Sequence, residues 1–114
     1  AAGLAALDLY RDEDLFARSK KLEPLWCDAA MTLKGVPRVL DIRCVGLTAG
    51  IDLASRPDAF GKRGYEAMER GFHDEGIMFR IAGDSIAVTP PLIVSESQIG
   101  EIFEKVGKVI KAVN

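Results

Sequence analysis

The chain has one histidine, two cysteines and one tryptophan among its 114 residues. His73 stands near no plausible nucleophile, and no Cys/His spacing of the kind that holds a metal is present. Cys27 and Cys44 lie far apart in the sequence. They read as two free thiols, which suits a reducing, cytoplasmic compartment. There is no long basic block and the net charge is −2, so neither nucleic acid nor an anionic membrane is an expected partner. Apolar runs are too short to span a bilayer. The first residues lack a basic region followed by an apolar run, so no signal peptide is expected. Neither G-x-G-x-x-G nor a P-loop is found. These absences leave no complete catalytic constellation and no metal site in the chain.

What is present suits one globular domain. Hydrophobic residues make up 48% and charged residues 28%, an ordinary balance. A chain of this length buries about two-thirds of its unfolded surface. It opens without methionine on AAGLAALDLY, which reads like the interior of a helix and suggests a piece of something longer.

Periodicity predicts the elements. Ala1 to Tyr10 is small, apolar and helical. Asp12 is the candidate N-cap of a second helix, whose apolar face carries Leu15, Leu22, Trp26, Ala29 and Leu33. Pro24 should kink or divide that helix, and Gly35 and Pro37 end it. Val39 to Val45 alternates, with Leu40, Ile42 and Cys44 opposite Asp41 and Arg43, as in a half-buried strand. Leu47 to Leu53 is a second strand, antiparallel to the first. After a loop at 55–64, a helix should follow with Tyr65, Met68 and Phe72 on one side. Ile77 to Ile81 and Ser85 to Thr89 are strands joined by a tight turn at Gly83-Asp84. Pro90-Pro91 stops the last strand. Ser95 and Gln98 form a possible capping box for a helix with an apolar stripe of Ile99, Ile102, Phe103, Val106, Val109 and Ile110. The expected fold class is α+β, an antiparallel sheet of three to four strands with helices packed on one face.

Arg80 stands out because it interrupts an apolar strand. Two readings are open. It is exposed or salt-bridged at a sheet end, with Asp84 the candidate partner, or its planar fork recognises a carboxylate through two parallel charge-assisted hydrogen bonds. His73 and Lys105, Lys108 and Lys111 read as solvated helix residues.

Four stretches, AAGLAALDLY, PRVLDIRCVGLTAGIDLA, GYEAMERGFHDEGIMFR and AGDSIAVTPPLIVSESQI, resemble class III aminotransferases of fold type I, most closely the β-alanine–pyruvate (ω-amino acid–pyruvate) subgroup. The combination of Arg80, Gly83-Asp84 and Pro90-Pro91-Leu92 is the most specific part of the match. The resemblance implies that residues 1–114 form the C-terminal small domain of a longer enzyme that uses pyridoxal 5'-phosphate. Its partners would be a large cofactor-binding domain, a second or further copies in a homodimer or homotetramer, and amino acid and keto acid substrates. The family's cofactor lysine matches no position here, so no catalytic or cofactor-binding residue is expected in this chain, which would be inactive alone. Arg80 matches the mobile arginine that binds a substrate carboxylate. A 4-aminobutyrate aminotransferase is the nearest alternative, and a stand-alone, non-catalytic α+β binding module the more distant one.

Overall fold

A computed structural model describes residues 1–113. Four helices and four strands follow in the order α1 (Ala2–Asp12), α2 (Leu15–Met31), β1 (Val39–Val45), β2 (Thr48–Leu53), α3 (Lys62–Asp74), β3 (Arg80–Ala82), β4 (Ser85–Val88) and α4 (Glu96–Ala112). The strands form one antiparallel sheet in the order β1-β2-β4-β3. α2 lies over β1, α3 lies over β3, and α4 packs on both helices. The fold is α+β, as the element pattern predicts. No helix of the described residues is long and apolar enough to cross a membrane.

The core lies between the helices and the inner sheet face. Trp26 is fully buried and meets Phe103 edge-on, with ring centroids 4.7 Å apart. Ala49, Ile51, Leu53, Ile86 and Val88 of the sheet, with Phe79 just before β3, form one cluster with Ile99, Val106, Val109 and Ile110 of α4. Ser95 accepts from Gln98 N–H and the Gln98 side chain accepts from Ser95 N–H, so the capping box is formed. Arg18 donates to the carbonyls of Leu92 and Val94 at 2.6 and 2.7 Å, tying α2 to the loop that feeds α4.

Several local expectations are corrected. Asp12 ends α1 instead of capping α2. The break comes at Asp14, the α2 N-cap, in a left-handed conformation (φ 49°) and with no side-chain cap bond. Pro24 does not divide α2, which runs unbroken through it. Pro24 and Lys20, four residues before it, are both exposed, so water can satisfy the carbonyl that proline leaves without a partner. Leu40 is exposed, because pairing slips by one residue between Val39 and Asp41 and turns it outward. β3 begins only at Arg80. In the same register Ile77 would fall opposite Pro90, which has no N–H to donate, and Ile77 N–H instead donates to the Gly71 carbonyl of α3 at 2.8 Å.

The face that α3 buries is not the one its large apolar residues mark. Tyr65 and Phe72 are exposed. The buried positions are Arg63, Gly64, Ala67 and Gly71. Gly64, Ala67 and Gly71 share one face, and their small size lets the helix axis come close to the β3–β4 hairpin. Bulky residues on that face would hold the two apart.

Candidate functional site

The helices leave the second sheet face open. Strand register puts Arg43, Gly50, Ala87 and Arg80 in one row across it, from β1 through β2 and β4 to β3. Directly paired residues share a face, so two arginines stand at opposite edges, about 14 Å apart at the usual strand spacing. Only Gly50 and Ala87 lie between them. The next row holds Asp41, Asp52, Ser85 and Ala82.

The two arginines differ in what they touch. Arg43 grips Asp52 with both ends of its fork, at 2.5 and 2.9 Å, and donates to Asp41 at 2.9 Å. Ser85 Oγ donates to Asp52 at 2.6 Å. Hydrogen bonds from Arg43 and then from Ser85 hold the Asp52 carboxyl below its ordinary pKa. Arg43 also lies flat over Gly50, where a Cβ would stand 3.5 Å from its Nη2. Arg80 is exposed and has no hydrogen bond or ion pair among the described residues. Asp84, the partner considered for it, is occupied elsewhere: its carboxylate accepts from Gly61 and Gly64 N–H at 2.9 and 2.7 Å. Arg11, Arg18, Arg43, Arg56, Arg63 and Arg70 are all held by carboxylates or carbonyls, whereas the half-buried Arg38, in the loop before β1, shares with Arg80 the lack of a side-chain hydrogen bond or ion pair among the described residues.

Elsewhere the structure offers less chemistry. A cleft of about 400 Å³ lies between the exit of α3, the Pro90-Pro91 loop and α4. Met78 lines it but Arg80 does not, and its Glu101 and Lys105 are paired with each other at 3.0 Å. His73 is exposed at the end of α3. Lys108 pairs with Glu104 at 3.0 Å, and Lys20, Lys21, Lys34, Lys62 and Lys111 are exposed. A lysine that carries a Schiff base needs an enclosed setting that lowers its pKa. None of the seven has one, so the residues present do not fit a pyridoxal-phosphate site by themselves. Periodicity missed Asp84 as more than a turn residue. The only signal was an acidic residue after Gly83, and its acceptor role depends on a helix that begins some twenty residues earlier in the chain.

Residues 1–110 match the family model described as Aminotransferase class-III. The chain is 45% identical over its whole length to an omega-aminotransferase of Caulobacter vibrioides, of which it covers 26%. Two relatives are each 30% identical. One is a probable gamma-aminobutyrate transaminase 3, mitochondrial, of Oryza sativa subsp. indica, over 98% of this chain and 23% of the relative. The other is a beta-alanine–pyruvate aminotransferase of Pseudomonas aeruginosa, over 99% of this chain and 25% of the relative. Among solved structures, an adenosylmethionine-8-amino-7-oxononanoate aminotransferase from Methanocaldococcus jannaschii superposes with a TM-score of 0.88 at 28% identity. That match covers 99% of this chain and 27% of the other. The chain thus spans about a quarter of the length of the curated relatives it matches. On the family match and the shared fold together, this chain belongs to the class III aminotransferases.

Proposed function

We propose that residues 1–114 are the C-terminal small domain of a longer, pyridoxal-phosphate-dependent ω-amino acid–pyruvate aminotransferase, and that Arg80 binds a substrate carboxylate. The reaction would convert β-alanine and pyruvate to malonate semialdehyde and alanine. One observation carries the role of Arg80. It is an exposed guanidinium on the uncovered sheet face, with no hydrogen bond or ion pair among the described residues. Its planar fork matches a carboxylate in two parallel bonds, and its long stem lets it move aside for a substrate without one. The cofactor would be held by residues outside this chain.

The test uses the full-length enzyme and follows the donor half-reaction through the cofactor's absorbance. Arg80→Ala should lower the rate with β-alanine about 10- to 100-fold, the loss of a charge-assisted pair. The loss with a simple primary amine should be far smaller. Equal losses for the two donors would count against the assignment. The 4-aminobutyrate reading has support from the rice relative at equal identity. It would displace the first if 4-aminobutyrate bleached the cofactor band and β-alanine did not.

A further inference from the structure

Arg80 is the first residue of a three-residue edge strand, so whatever holds β3 sets where the guanidinium starts from. β3 has a strand partner on one side only. α3 holds both of its ends. At the turn, Gly83 is left-handed (φ 60°), the Phe60 ring closes over its Cα, and a Cβ at Gly64 would overlap its carbonyl oxygen. At the other end, Ile77 N–H donates to Gly71 carbonyl at 2.8 Å, and a Cβ at Gly71 would come within 2.9 Å of the Phe79 ring. Two close approaches on one helix face therefore bracket Arg80.

Asp84 locks the turn end. α3 begins on Gly61, which has no side chain to cap it. Asp84 supplies that cap from the hairpin, accepting from the N–H groups of the N-cap residue, Gly61, and the third helical residue, Gly64. Its own carbonyl accepts from Leu53 N–H at 3.0 Å, joining the turn to β2. Asp84 is only 4% exposed. Burial opposes its charge, but Gly64, Ser55, Gly61 and the nearby Arg63 outweigh that and hold its pKa below the ordinary value. A charged acceptor between two amides is a stiff joint.

We propose that Asp84 is a positioning residue: its clamp on the start of α3 sets the reach of Arg80 toward a substrate carboxylate. The inference rests on the reading of Arg80 as the carboxylate binder. A neutral amide at position 84 can accept at only one of the two sites. The hairpin tip is then released from α3, and β3 shifts with it. A small displacement of a substrate-binding group costs rate out of proportion to its size.

The experiment compares β-alanine with a simple primary amine in the full-length enzyme. Asp84→Asn should lower the ratio of kcat/KM for β-alanine to that for the amine about tenfold, mostly through KM for β-alanine. Combined with Arg80→Ala, it should change that ratio by less than about twofold beyond Arg80→Ala alone, because both act through one group. Equal losses for both donors, or losses that multiply in the double variant, would overturn the proposal. Phe60→Ala removes an exposed ring and guards against a misfolded Asp84→Asn. It should lower the same ratio about threefold, and an unchanged ratio would overturn the proposal. Failure of the underlying assignment shows separately, as an unchanged ratio in Arg80→Ala itself.

Discussion

At the scale of single residues, neighbours decide which charges remain available. Arg43 and Arg80 share a row of the open sheet face, yet Asp41 and Asp52 neutralise the first and no carboxylate among the described residues pairs with the second. Arg43 is thereby tied to the sheet, and the hydrogen bonds it donates to Asp52 and then to Asp41 raise its pKa. The same reasoning applies to the cysteines. Both are free, and the packing of α2 on β1 brings Cys27 and Cys44 side by side. Burial, then the Cys27 thiol and the Glu23 charge, push the Cys44 thiol up to about 12. Only the thiolate is nucleophilic, so at pH 8 Cys44 should react with iodoacetamide on the order of a thousandfold more slowly than an unperturbed thiol. Mass spectrometry of the alkylated peptide reads this directly, and rapid labelling at pH 8 would contradict it.

At the scale of elements, the glycines of α3 and α4 separate intrinsic propensity from packing. A helical glycine ordinarily costs stability relative to alanine. A Cβ at Gly100 of α4 meets nothing within 4 Å. Gly100→Ala should therefore stabilise by about 0.5–1 kcal/mol. Gly64→Ala in α3 should have the opposite sign, costing about 1–3 kcal/mol, because its Cβ would be forced into backbone of the hairpin turn. Thermal unfolding of the two variants should move the midpoint in opposite directions, and a common direction would mean that propensity alone governs both sites.

At the scale of the whole molecule, too much apolar surface is uncovered. The accessible surface is 7048 Å², roughly 900 Å² more than a monomer of this mass usually shows. The radius of gyration is 15.3 Å, against about 13 Å for a compact chain of this length. α1 packs chiefly on α2 and has no buried residue. Leu4, Leu7 and Leu9 on that helix are exposed, and Met78 beside Arg80 is 81% exposed. A surface of this kind is normally covered by a partner, which the proposed large domain would supply. Residues 1–114 produced alone should self-associate in sedimentation and take up a hydrophobic dye. A monomer that binds no dye would show that the exposed residues are tolerated without a cover.

The elements were legible wherever local periodicity and capping chemistry act within a few residues. The α4 stripe and its Ser95–Gln98 box, the alternation of β2 and the Gly83-Asp84 turn all follow from local order. The exposure of Arg80 follows the same alternation, which sets it opposite Phe79 and Ile81. The buried face of α3 was not. Hydrophobicity points to Tyr65 and Phe72, whereas the hairpin demands the small face of Gly64, Ala67 and Gly71. The same holds for the Asp84 cap and the Cys27–Cys44 contact, which join residues far apart in the chain. Local sequence specifies which side chains can form a helix, strand or turn. Only the close approach of α3 to the hairpin, and of α2 to β1, decides which glycine must lack a Cβ, which carboxylate is consumed and which arginine is left open.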